Sequence, residues 1–151
     1  MASIRESVEI EAPPERIWAV VHENVADAPK WSANLLKAEL LQGTPPRKGS
    51  LVRYHIKTPG GVQQLDLEHT AARRPKSCAG RFVKGPLKGD WKYAYDFADG
   101  ATTLTYTMDY GPAGLSARLF FGVIERQLPV DVRKTMRSLK RYVESGKGSA
   151  G

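Results

Sequence analysis

Trp91-Lys92-Tyr93-Ala94-Tyr95-Asp96-Phe97, a turn at Asp99-Gly100, and then Thr102-Thr103-Leu104-Thr105-Tyr106-Thr107-Met108-Asp109-Tyr110 is the stretch that decides the fold. Large side chains fall on every second residue in both halves. Such alternation, broken by Asp-Gly, predicts a β-hairpin. Because successive strand side chains point to opposite faces, Trp91, Tyr93, Tyr95, Phe97, Leu104, Tyr106, Met108 and Tyr110 share one face. Each gains roughly 1.5–3 kcal/mol on burial, so that face must be covered. A plain core would favour Leu, Ile and Val. Tyrosine and tryptophan want partners for their polar tips, so the face calls for internal hydrogen bonds or a cavity that holds a ligand.

The cover comes from downstream. After Gly111-Pro112-Ala113-Gly114 the period changes, and Ala117, Phe121, Ile124, Leu128, Val132, Met136, Leu139 and Val143 step by three or four. That is one helical stripe. Pro129 removes a backbone bond inside it and predicts a kink near Glu125. The first half also carries Leu115, Leu119, Phe120 and Val123 off the stripe, so more than one side must be covered there. The second half is amphipathic, with Arg133, Lys134, Arg137, Lys140 and Arg141 as a solvated basic face.

Upstream, residues 3–10 form a strand with Ile4, Val8 and Ile10 inward, where Glu6 needs a partner or the sheet margin. Ala12-Pro13-Pro14-Glu15-Arg16-Ile17-Trp18 then opens a helix, proline being tolerated in a first turn. Another helical turn is expected at residues 27–31. Strands follow at 35–42, 51–57, 62–70 and 77–84, with turns at Gly43-Thr44-Pro45-Pro46, Thr58-Pro59-Gly60-Gly61 and Gly85-Pro86-Leu87-Lys88-Gly89. In the third of these strands hydrophobic patterning puts Leu65, Leu67 and His69 inward, with Gln64, Asp66 and Glu68 outward.

The 151 residues make one domain, large enough to bury about two-thirds of its unfolded surface. Residues 1–145 are expected to form it, with 146–151 as a tail. No run approaches the roughly eighteen apolar residues of a membrane span, and Met1 to Ser7 lacks an apolar signal core, so the expected location is the cytoplasm. A single cysteine, Cys78, gives no disulfide framework. His22, His55 and His69 show no metal spacing, so neither a metal nor a cofactor is expected. The net charge of +7 leaves nucleic acid as a class resting on charge alone, since the strand aromatics that could stack bases should face inward.

Strand, helices, six strands and a long final helix, entered through Ala12, Pro13, Glu15, Ile17 and Trp18, resemble the START-like superfamily. That group, also called SRPBCC, holds polyketide cyclases and dehydrases, lipid-transfer domains and birch pollen allergen-like proteins. Residues 31–43, Tyr110-Gly111-Pro112 and the closing 139–144 also fit, so the likeness spans residues 3–145. It implies an α+β helix-grip fold, in which a curved seven-stranded antiparallel sheet wraps the last helix around an elongated apolar cavity. The turns at 58–61 and 85–89 correspond to loops that cover the mouth in related receptors. In such receptors an acidic residue on the strand matching 62–69 reaches the cavity, opposite to the parity patterning favours.

The resemblance therefore implies binding of a hydrophobic or aromatic small molecule, lipid- or polyketide-like. The expected wall is Tyr54, Trp91, Tyr93, Tyr95, Phe97, Tyr106 and Met108 from strands, with Phe121, Ile124 and Leu128 from the helix. A cyclase or dehydratase is the alternative. Tyr95 or Tyr106 would then donate a proton and Asp66, Glu68 or His69 act as base, although no local motif marks a catalytic residue. A further alternative is a lipid carrier docking on anionic membranes through Leu115, Leu119 and Phe120 beside the basic face. The same apolar patch suits a homodimer, so the chain is expected as monomer or homodimer.

Overall fold

The computed structural model describes residues 1–43, 46–58 and 60–146. Strand β1 (Ala2–Ile10) leads into α1 (Pro14–Trp18), a π-helical turn (Ala19–Glu23) and a 3-10 turn (Val25–Lys30). Strands β2 (Leu35–Gln42), β3 (Leu51–Thr58), β4 (Gly61–Arg73), β5 (Ser77–Lys84), β6 (Leu87–Ala98) and β7 (Ala101–Pro112) follow, and α2 (Leu115–Glu144) closes the chain. The strands form one antiparallel sheet in the order β1-β7-β6-β5-β4-β3-β2. The short helices carry the chain from one sheet edge to the other. The helix-grip architecture that the resemblance implied is present.

The hairpin turns where expected. Asp99 (φ 54°) and Gly100 (φ 80°) both occupy the left-handed region that a two-residue hairpin turn requires. Trp91 faces Met108, Tyr93 faces Tyr106, and Tyr95 faces Leu104 across the ladder. On the other side of β7, Ile4, Glu6 and Val8 pair with Met108, Tyr106 and Leu104. Glu6 on that inward face finds its partner in Arg133 of α2 at 3.1 Å.

Parity on β4 follows patterning. Leu65, Leu67 and His69 are buried, whereas Asp66 and Glu68 pair with arginines of the neighbouring strands. The two largest boundary differences from expectation lie in β4 and β6. β4 continues to Arg73, and β6 begins at Leu87, so only Gly85 and Pro86 separate β5 from β6. Pairing of Leu87 with Pro112 and of Lys88 with Gly111 extends the ladder beyond what the glycines suggest. Pro59 in the turn at 58–61, Thr44 and Pro45 in the turn at 43–46, and 147–151 of the tail lie outside the described residues.

α2 runs unbroken through Pro129. Its fully buried residues, Met136, Leu139 and Val143, all fall in the C-terminal third. That end is also tied by hydrogen bonds. Arg16 donates to the Val143 carbonyl, Lys140 donates to the Glu9 carbonyl at 2.7 Å, and the Glu11 N–H donates to the Glu144 carboxylate at 2.9 Å. The N-terminal half is different. Leu115 and Leu119 are each 81% exposed and Phe120 65%. Among the described residues no helix is long and apolar enough to cross a membrane.

Candidate functional site

Between the inner face of the sheet and the middle of α2 lies a cavity of about 540 Å³. Its sheet wall combines Tyr54 and Ile56 of β3, Leu65 and Leu67 of β4 and Phe82 of β5. Tyr93 of β6, with Tyr106 and Met108 of β7, continues that wall. Ile124, Leu128, Val132 and Met136 of α2 roof it. The lining is apolar apart from the tyrosine hydroxyls and a polar mouth at Ser32, Asn34, Lys57, Thr58, Gln63, Gln127, Asp131 and Thr135.

The mouth is framed by short contacts. Asn34 donates to Asp131 at 2.9 Å, the Ala33 N–H donates to Thr135 Oγ1 at 2.9 Å, and the Lys57 N–H donates to the Asn34 carbonyl at 2.8 Å. The start of β2 is thereby fastened to both α2 and β3. Thr58 and Pro86, from the two turns that the resemblance placed over the mouth, also reach the cavity.

Three tyrosines define its chemistry. Tyr54, Tyr93 and Tyr106 sit deep in the fold yet are only half-buried, because part of each ring surface faces the hollow. Burial pushes the Tyr54 phenol up to about 12. It raises Tyr93 and Tyr106 well above the usual 10, with repulsion from neighbouring phenols adding to the effect, from Tyr106 and Tyr54 on Tyr93 and from Tyr54 on Tyr106. All three are therefore neutral and can donate or accept hydrogen bonds. Tyr106 donates weakly to Met108 Sδ at 3.5 Å. Among the described residues no side-chain hydrogen bond engages the hydroxyl of Tyr54 or Tyr93. An apolar chamber with two free phenols on its wall can orient a guest that carries polar atoms.

Six of the ten expected wall residues line the cavity: Tyr54, Tyr93, Tyr106, Met108, Ile124 and Leu128. The other four do not. Trp91 lies against Gly80 of β5, where an added Cβ would stand 2.3 Å from its ring, and packs on His69 at 5.2 Å. Tyr95 is held by His22, its hydroxyl 2.7 Å from Nε2. Phe97 is 52% exposed, because β5 pairs with β6 only as far as Ala94 and leaves this end of the hairpin uncovered on that side. Phe121 covers Tyr110 with ring centres 5.8 Å apart, below the chamber.

The acid–base candidates are scattered. Asp66 accepts a two-point bond from Arg53 at 2.9 and 3.0 Å, and this hydrogen bonding holds its carboxyl below the usual carboxylate range. Glu68 accepts from Arg81 at 3.0 Å. Both occupy the face of β4 opposite the cavity. His69 is on the inner face but 6% exposed, with Nδ1 3.3 Å from the Ser50 carbonyl, and burial lowers its basicity. Only Tyr106 of the five candidates reaches the chamber. The wall residues that were not singled out, such as Ile56, Leu65 and Phe82, were signalled by inward strand parity. Asn34 and Asp131 carried no signal at all.

With fold and cavity in place, the comparisons assign the class. The chain belongs to the polyketide cyclase/dehydrase and lipid transport family, whose model matches residues 1–144. Solved structures share the fold. A protein of Thermus thermophilus, TTHA0849, superposes with a TM-score of 0.80 at 14% identity, covering 96% of this chain and 99% of its own. The Zhui aromatase/cyclase from Streptomyces sp. R1128 gives 0.72 at 18% identity, over 96% and 97% of the two chains. A START superfamily protein from Mycobacterium smegmatis gives 0.65 at 14%, over 91% and 98%. No curated protein sequence matches the chain.

Proposed function

We propose that the chain binds one apolar or aromatic small molecule, lipid- or polyketide-like, in the chamber under α2, and that its role is binding rather than chemistry. The observation that carries this is the pair of unengaged phenols, Tyr54 and Tyr93, on an otherwise apolar wall. Burial of the guest's apolar surface supplies affinity at roughly 25 cal/mol per Å², and the phenols set its orientation. Acid–base chemistry would need a free base near Tyr106; Asp66 and Glu68 are on the far side of β4, and Asp131, the carboxylate that does line the chamber, already accepts from Asn34 and Gln127 at 2.9 Å each.

Naphthol is a suitable probe, being aromatic with one hydroxyl. Trp31, 4% exposed and lining the cavity, is the tryptophan that should report on it. Saturable quenching is expected, abolished by Leu128→Trp, which fills the chamber from α2. Non-saturable quenching, or quenching indifferent to Leu128→Trp, counts against the cavity. Native mass spectrometry of freshly purified protein then looks for a retained guest.

One observation favours lipid carriage as a second possibility. Val123 is 47% exposed and also lines the cavity, so the ridge of Leu119, Phe120 and Val123 runs into the mouth, with exposed Arg118 and Arg126 nearby on the same half of α2. Co-sedimentation with phosphatidylglycerol vesicles, but not with phosphatidylcholine alone, is then expected. Equal sedimentation with both would remove it.

A further inference from the structure

His22 from the π-helical turn, His69 from β4 and Cys78 from β5 are far apart in sequence, which is why no spacing motif marks them. In space, one donor atom of each lies within 4.8 Å of the other two. All three are buried, at 4%, 6% and 0% exposure. Aromatic rings surround them: Trp18 and Tyr93 lie 4.5 and 5.0 Å from His22, and Trp91 lies 5.2 Å from His69. Buried imidazoles need engaged nitrogens, since a buried polar group left without a partner costs about 1–3 kcal/mol, and a free thiol packs readily beside them as a small apolar group.

The hydrogen bonds around the cluster have the form a metal site needs. Tyr95 Oη lies 2.7 Å from His22 Nε2, and the Ser50 carbonyl lies 3.3 Å from His69 Nδ1. A ligating imidazole commonly donates its second ring N–H to an oxygen, which fixes its tautomer and its aim. Each imidazole thus has one nitrogen engaged and a second ring nitrogen available to join Cys78 Sγ as a donor.

We propose that His22, His69 and Cys78 form a closed three-ligand site for a thiophilic cation, Cu(I). One thiolate with two imidazoles suits Cu(I) or Zn(II). Charge and coordination choose between them. Cu(I) with one thiolate and two neutral imidazoles carries no net charge, whereas Zn(II) would leave an uncompensated positive charge in an aromatic core and would still want a fourth ligand. On loading, the Cys78 thiol proton is released to solvent as the Cu–S bond forms; no electron is transferred. Bonds of about 2.0–2.3 Å require donors roughly 3.5 Å apart, so loading draws the three side chains together by about 1 Å. None of the three residues lines the ligand cavity.

The test is anaerobic titration of the purified chain with Cu(I) against bicinchoninate, a chromophoric chelator. One equivalent is expected to be withheld from the chelator. Cys78→Ser and His69→Gln should each weaken that binding at least tenfold, with the far-ultraviolet circular dichroism unchanged. X-ray absorption of the loaded native protein provides a readout independent of any variant, and a sulfur neighbour to copper is expected. No withheld equivalent, retention in Cys78→Ser, a copper shell of nitrogen and oxygen alone, or preference for Zn(II) would each overturn the assignment.

Discussion

Tyr93 and Tyr95 are two residues apart on one face of one strand, and their hydroxyls have opposite circumstances. Tyr95 is bonded to buried His22 and Tyr93 has no engaged partner. Tyr95→Phe should therefore lower stability by about 1–3 kcal/mol, because it strands the imidazole. Tyr93→Phe should leave the denaturation midpoint nearly unchanged and weaken naphthol binding by about 0.5–1.5 kcal/mol. Urea denaturation and naphthol titration of both variants distinguish the two roles. Gly80 is a second residue-scale lever. Its missing Cβ leaves room for Trp91, and a methyl there would also stand 2.2 Å from the Glu68 carbonyl oxygen. Gly80→Ala should cost at least about 1–3 kcal/mol and change tryptophan emission. None of this was legible beforehand. Alternation told which face a ring occupies, but whether a ring meets a hollow, a histidine or a glycine depends on the neighbouring strand.

Elements were far more legible. Period-two alternation placed both halves of the hairpin and the inward parity of β4, and the three-to-four stepping placed α2. The family resemblance argued for an acidic residue in the cavity, and patterning prevailed because Asp66 and Glu68 have arginines waiting on the outer face. Glycines misled at 85–89, where ladder pairing overrode turn propensity. Along α2 burial is uneven, and substitutions should register it. Leu139→Ala, at 0% exposure, is expected to cost about 2–5 kcal/mol, whereas Leu119→Ser, at 81%, should shift stability by no more than about 0.5 kcal/mol. Thermal melts of the two variants provide the comparison.

At the scale of the molecule, three elevated phenols act together on pH stability. Each keeps its proton in the folded state above the ordinary value of 10, with Tyr54 pushed up to about 12 and burial raising Tyr93 and Tyr106 well above 10. Their contribution is complete below pH 10 and is lost as pH rises through the folded values. Alkaline unfolding should therefore coincide with a cooperative rise in tyrosinate absorbance; independent early ionisation of the three would refute their enclosure. The cavity itself was readable only as a demand: a tyrosine-rich inward face asked for a hollow, without revealing its volume or mouth.

The lopsided fastening of the final helix sets what that hollow can admit. Pinned by Arg16, Lys140 and Glu144 at one end and thinly packed at the other, the helix is a lever with its fulcrum near Val143. Amide exchange should run fast from Leu115 to Arg126 and slow from Met136 to Val143. Capacity then grows toward the free end. Among homologous guests of equal girth, lengthening should be tolerated well past the resting volume, while thickening should not.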